Sequence, residues 1–321
     1  MTSFTGQKRC PRPKIDRRLS RGRRDAVAAE AHEKVKYAFV GLSGGAGATM
    51  LAFAFAEYLA GLQMTRRYEA DEREARGYDC GRVAPRTFPG KRCAPGVCAA
   101  AVVEINDANR PACGFDYDRI GMDKHFEGRE YISCYRLLSQ GKSVRGLANF
   151  DGGVNWMLRV PGEEFERFEV VDFVRLIDNA AGNAVICDIK GTFGLSLVRD
   201  RDRIGELRKI LEDMDRVCAI VDPLPSSMMA DREKLELFKD YEAAGGDIVY
   251  IINKCNPGVN RREVKNFLKV RGAFELPYFA PADIYAAEYN CRTVWSAPEI
   301  SRQLSDLFGK ICVFHNFSTI L

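Results

Sequence analysis

The sequence predicts an α/β fold: a mostly parallel, twisted sheet flanked by helices on both faces. Short, continuously apolar runs alternate with helical patterns along the 321 residues. A strand that is apolar on both sides is one buried under helices on both faces. The first such run, at 37–40, passes through four glycines in seven residues, Gly41, Gly44, Gly45 and Gly47, straight into a long apolar helical pattern. Beyond the carboxyl ends of later runs stand polar residues, at 104–107, 188–191, 222–223 and 253–254. Open parallel sheets hold their ligands at those ends.

Taken in order, residues 1–34 read as a basic N-terminal arm without fixed structure, and 35–321 as the folded domain. Residues 1–24 hold nine Lys or Arg against one acid, while 25–35 have helix composition. The strand at 37–40 leads to a helix expected over 48–63. Periodicity then stops, and 65–97, charged first and then rich in Gly and Pro, reads as a surface insertion. Strands are expected at 99–107, 153–160, 184–189, 216–221 and 247–252, with a short one near 276–279. Helices are expected at 128–140, 165–180, 200–213, 226–243, 260–270 and 297–311, that at 165–180 from its amphipathic spacing.

Composition narrows the function classes. The chain is 46% hydrophobic and 29% charged with a net charge of +4, values ordinary for a globular protein, so nothing global calls for a polyanionic partner. No apolar segment follows the basic start as it would in a secretory leader. No run of about 18 apolar residues exists. The eleven cysteines are scattered. Cys187 and Cys218 fall inside buried-type strands, and all are read as reduced thiols in cytoplasm. Cys80, Cys93, Cys98 and Cys113 lack the close pairing of a zinc site. His32, His125 and His315 are far apart in sequence and form no constellation by spacing.

The chemistry is concentrated in the glycine loop. Strand, glycine loop and helix is the layout of a phosphate-binding loop, in which glycines let backbone N–H groups turn towards an anion and the helix N-terminus adds its dipole. Gly44, Gly45, Ala46, Gly47, Ala48, Thr49 and Met50 are the candidate nucleotide-binding residues here. Thr49 stands where such loops place the hydroxyl that ligates Mg²⁺. The lysine that should follow the last glycine is Ala48, so GxxxxGK[ST] is not matched. The bland alternative is a glycine-rich turn that packs tightly and binds nothing.

The order of motifs resembles the MinD/ParA family of deviant P-loop ATPases over residues 35–310, with TadZ/CpaE-like proteins as a branch of atypical glycine loops. That family's KGGxGK[ST] is matched by Ser43-Gly44-Gly45-Ala46-Gly47-Ala48-Thr49. Its Asp-x-Asp is matched by Glu104-Ile105-Asn106, and its Asp-x-x-Gly by Asp188-Ile189-Lys190-Gly191. Its base-contacting asparagine falls on Asn253, and residues 277–290 resemble the segment that closes over the base. The resemblance implies ATP or ADP as ligand, with Mg²⁺ held by Thr49 and Asp188, directly or through water. It also marks three departures: the signature lysine is Ser43, the phosphate-contacting lysine is Ala48, and the second aspartate is Asn106. Phosphoryl transfer is mainly positioning and electrostatic stabilisation, so these departures imply weak or lost hydrolysis. Lys190 is the candidate substitute cation, with Lys254 behind it, and no residue is assigned as catalytic.

Four functions stay open at this point. A degenerate MinD/ParA-like nucleotide-binding protein would act as a positioning or scaffold factor, a homodimer that recruits protein partners. An active ATPase would use Lys190. A nucleic-acid-binding protein would use residues 1–24 and show steep salt dependence. A peripheral membrane protein would lie on the inner face of the membrane through its last helix, although Lys310 alone is basic there and anchors are usually richer in Lys or Arg. The acidic and aromatic stretch 115–131 is expected to make partner contacts.

Overall fold

The computed structural model describes residues 34–77, 99–106, 115–163, 169–190, 201–230 and 232–313. Eight strands form one sheet: β1 (Val35–Gly41), β2 (Ala100–Ile105), β3 (Phe150–Asp151), β4 (Val154–Met157), β5 (Ala184–Ile189), β6 (Arg216–Val221), β7 (Ile248–Cys255) and β8 (Phe274–Pro277). Their order across the sheet is β3-β4-β2-β5-β1-β6-β7-β8. Every pairing is parallel except the β3–β4 hairpin at one edge.

The two-residue period of β1 divides its side chains between two cores. Tyr37 and Phe39 join α1 (Ala48–Gly77) and the helix Pro298–Val313 on one face. Ala38 and Val40 face the other way, against the helices Val170–Asn179, Arg201–Glu212, Arg232–Ala243 and Arg261–Leu268. Helices on both faces are what the continuous apolar runs require. The first core is dense in rings. Phe55 of α1 lies 5.1 Å from Tyr37, 5.4 Å from Phe39 and 5.2 Å from Phe308, centroid to centroid.

Several elements differ from the sequence expectation. α1 does not stop near 63 but continues to Gly77, so 65–77, expected as the start of an insertion, is helical. Ala, Glu and Arg in that stretch are strong helix formers, and Gly77 ends the run. Residues 78–97, with Cys80 and Cys93, lie outside the described residues, as do Cys98 and Cys113.

The helix expected over 128–140 is shorter and starts late, at Cys134–Ser139, and two short helices not expected from the sequence, Phe115–Arg119 and Met122–His125, precede it. The reason for the late start is local. The Asn149 side chain accepts from Ile132 N–H and donates to its carbonyl at 3.1 and 2.9 Å, which holds an extended backbone there. Ser133 then caps the helix by accepting from Arg136 N–H at 3.2 Å. In the stretch 115–131, Tyr117, Ile120, Met122 and Phe126 are buried in the core, so only its charged side is left for a partner.

The strand expected over 153–160 ends at Met157. Beyond it, Leu158 N–H donates to the Tyr131 hydroxyl at 2.8 Å and Arg159 N–H to Glu104 Oε2 at 3.0 Å. Its hairpin partner β3 was not expected; the turn between them is Gly152-Gly153, both at positive φ, 58° and 82°. The helix expected over 226–243 is covered by Pro225–Ala230 and Arg232–Ala243, with residue 231 outside the described residues. No helix among the described residues is long and apolar enough to cross a membrane. The last helix buries Ile300, Leu304, Leu307, Phe308, Ile311 and Cys312 against the sheet; residues 1–33 and 314–321 lie outside the described residues.

Candidate functional site

Parallel register aligns the carboxyl ends of the central strands. Val40 of β1 and Ile105 of β2 both pair with Ile189 of β5. The residues that follow, the glycine loop, Asn106 and Lys190, therefore emerge together at one edge. There they line a cavity of about 590 Å³ with Gly44 to Met50, Asp116, Arg119, Asn253 and Lys254, and with an apolar wall of Phe279 and Ile284.

The glycine loop keeps its cradle shape. Gly45 and Gly47 have φ of 77° and 96°, a left-handed backbone that disfavours side chains. At Gly47 a Cβ would stand 2.4 Å from Asn253 Nδ2. That amide donates to the Ala46 carbonyl at 2.9 Å, and its oxygen accepts from Lys254 N–H at 2.9 Å. Asn253, expected to contact a base, thus lines the cavity while its amide pins the loop. The first N–H groups of α1 have no partner within the helix and open on the same space. Ser43 is buried, and its hydroxyl has no hydrogen-bond partner among the described residues. An anion seated among these N–H groups fits both facts.

The loop has no lysine of its own, yet three lysines from later segments reach the loop and its flanks. Lys254, at φ 60°, donates to the Gly45 carbonyl at 2.8 Å and to Asp222 Oδ2 at 2.7 Å. Lys234, buried in the helix Arg232–Ala243, donates to the Gly41 carbonyl at 3.3 Å. Lys190 brings its ammonium to Thr49 Oγ1 at 2.9 Å, to Asp188 Oδ2 at 2.7 Å and to Asp116 Oδ2. Lys190 and Lys254 were legible as strand-end cations. Lys234 and Asp116 were missed, one inside an amphipathic helix and the other inside an acidic stretch with no motif. Arg119 was missed as well. It lines the cavity and donates to Glu288 at 2.7 Å, linking it to the helix Pro281–Tyr289.

The predicted magnesium ligands Thr49 and Asp188 are brought together. Hydroxyl and carboxylate are the right donors for a hard cation, but the group between them is the Lys190 ammonium. Mg²⁺ therefore fits the chemistry of the donor set and not the space as it stands. Asp188 is fully buried, and its Oδ1 has no hydrogen-bond partner among the described residues. Burial, and after it the Glu104 carboxylate, push the Asp188 carboxyl up to about 8, while the Thr49 hydroxyl and Arg119 pull it down. The adjacent ammonium acts in the same downward direction. Glu104 itself lies under β4's continuation, accepting from Arg159 N–H, and does not line the cavity.

Among solved structures, a ParA family ATPase from Chlorobium tepidum TLS is similar over 87% of this chain and 98% of its own, at 16% identity and a TM-score of 0.55. The fold is that of the ParA and MinD ATPases. A chain of the MinC:MinD cell division protein complex from Aquifex aeolicus is similar over 87% of this chain and 95% of its own, at 12% identity and a TM-score of 0.51. By sequence, no family model and no curated protein matches. At such low identity the ParA/MinD likeness is one of backbone architecture, and the side chains at the cavity carry the rest.

Proposed function

We propose that this chain binds ATP or ADP in the cavity at the glycine loop and works as a nucleotide-dependent positioning or scaffold factor, with hydrolysis weak or lost. The observation that carries this reading is the loop itself. It stands in a ParA/MinD fold, has two left-handed glycines, and is fastened in its shape by Asn253 and Lys254. The charges that would act on a γ-phosphate are missing, since Ser43, Ala48 and Asn106 stand at the places of two lysines and an aspartate. Losing one preorganised charge contact commonly lowers a rate by about 10²–10³. The apolar wall of Phe279 and Ile284 offers a surface for a purine.

The ParA/MinD fold favours a homodimer and protein partners, and residues 1–24 and the charged side of 115–131 are the surfaces assigned to them. The alternative, an ATPase in which Lys190 supplies the lost phosphate contact, is weakened because that ammonium is engaged by two carboxylates. Steady-state phosphate release by the full chain, with and without Mg²⁺, tests the reading. The expected turnover is at background, and A48K/N106D, which returns the missing cation and carboxylate, is expected to raise it. Robust wild-type turnover abolished by K190A would overturn the reading in favour of the alternative.

A further inference from the structure

We infer that the Lys190 ammonium is a built-in cation holding the divalent-metal position of this loop, so that the cavity takes its nucleotide without Mg²⁺. The second half rests on the nucleotide reading above; the first half does not. An ammonium carries three N–H donors, and this one meets three oxygens, the Thr49 hydroxyl and the carboxylates of Asp188 and Asp116. A hydroxyl with two carboxylates is an oxygen donor set of the kind that hard cations take. Two cations cannot share the point where the three oxygens converge.

The tether keeps it there. Lys190 leaves the end of β5 two residues after Asp188, and its backbone N–H donates to the Ile105 carbonyl at 3.1 Å. Its side chain is 15% exposed, while those of Asp116 and Asp188 are 7% and 0% exposed. A cation beside two carboxyl groups so deeply buried favours their charged forms, and Lys190 supplies one from within the chain. A single positive charge replaces a double one. The same position is filled, with less charge to offer a phosphate, which agrees with binding kept and hydrolysis weak.

Mn²⁺ is the probe, read by electron paramagnetic resonance on the nucleotide-free full chain. Wild type is expected to bind no Mn²⁺ at this position. K190M is expected to gain one Mn²⁺ site, seen also as a rise in its melting temperature with Mn²⁺, and K190M/D188N to lose it. A wild-type Mn²⁺ site that D188N abolishes would overturn the inference, and that titration stands even where K190M does not fold. In parallel, affinity of the wild type for a fluorescent ATP analogue is expected to be unchanged between Mg²⁺ and EDTA. A tenfold or greater loss in EDTA would also overturn it. No binding in either buffer would defeat the nucleotide reading and with it metal-free binding, while the Mn²⁺ titration decides the ammonium's place independently.

Discussion

Gly47→Ala offers a sharp test of how the loop is held. Gly47 sits at φ 96°, and an added Cβ would stand 2.4 Å from Asn253 Nδ2. Left-handed backbone costs an alanine about 1–2 kcal/mol. The amide cannot simply step aside, because Asn253 is buried and bonded to the Ala46 carbonyl at 2.9 Å. Displacing it leaves buried polar groups unpaired, at a cost of about 1–3 kcal/mol. The expected destabilisation is the sum, about 2–5 kcal/mol. Gly45→Ala is the control, because its φ is 77° but a Cβ there meets nothing within 4 Å; it should show the strain alone. The assay is urea unfolding of G47A, G45A, N253A and G47A/N253A. In the double variant the collision is gone, so the two single losses should overlap by about 1–3 kcal/mol. Strict additivity, or a G47A no worse than G45A, would refute the account of the clamp.

Three further outcomes follow from other parts of the fold. His125 faces acceptors at both ring nitrogens, Asp151 Oδ2 at 2.7 Å and the Cys291 carbonyl at 2.8 Å. The Asp151 bond raises its pKa above 6.5, with burial opposing; its contribution is full below pH 6.5 and is lost as pH rises through the raised value. Stability of the wild type should therefore decline across that window, and thermal melts of His125→Gln should be flatter there; equal slopes would count against the charged imidazole. Phe55→Ala empties the ring cluster of the first core and should cost about 3–5 kcal/mol by urea unfolding, and a loss under about 1 kcal/mol would mean that the rings do not pack as described. Arg216, buried in β6, bonds Asp247 at 2.9 Å and the Ile311 carbonyl in the last helix. Asp247 is partly exposed, so Arg216→Met should cost only about 1–3 kcal/mol, with faster amide exchange at the end of that helix as its signature; unchanged exchange would detach the last helix from Arg216.

What could be read in advance was what local pattern encodes. Continuous apolar runs located the main strands, because burial on both faces leaves a mark on each residue in turn. The meeting of the glycine loop, Thr49 and Asp188 at one edge was legible because a strand end and a helix start mark their positions. Two long-range contacts around it were not. Lys234 reaches Gly41 across 193 residues, and Asp116 meets Lys190 across 74; neither pairing leaves a trace in spacing. The extension of α1 to Gly77 was hidden for a different reason. It lacks apolar periodicity, and only the helix propensity of its Ala, Glu and Arg marks it. The late start of the helix Cys134–Ser139 follows from the Asn149 and Ser133 side chains, and Asn149 lies next to the β3–β4 hairpin, far from 132 in sequence.

The claim on which the rest depends is that the cavity at the glycine loop binds nucleotide. Isothermal titration of ATP and of ADP into the purified full chain, in Mg²⁺ and again in EDTA, tests it most directly. The account predicts micromolar binding of one nucleotide per chain in both buffers. No heat of binding up to millimolar nucleotide in either buffer would contradict it, and would leave the ParA/MinD fold here as a scaffold without its ligand.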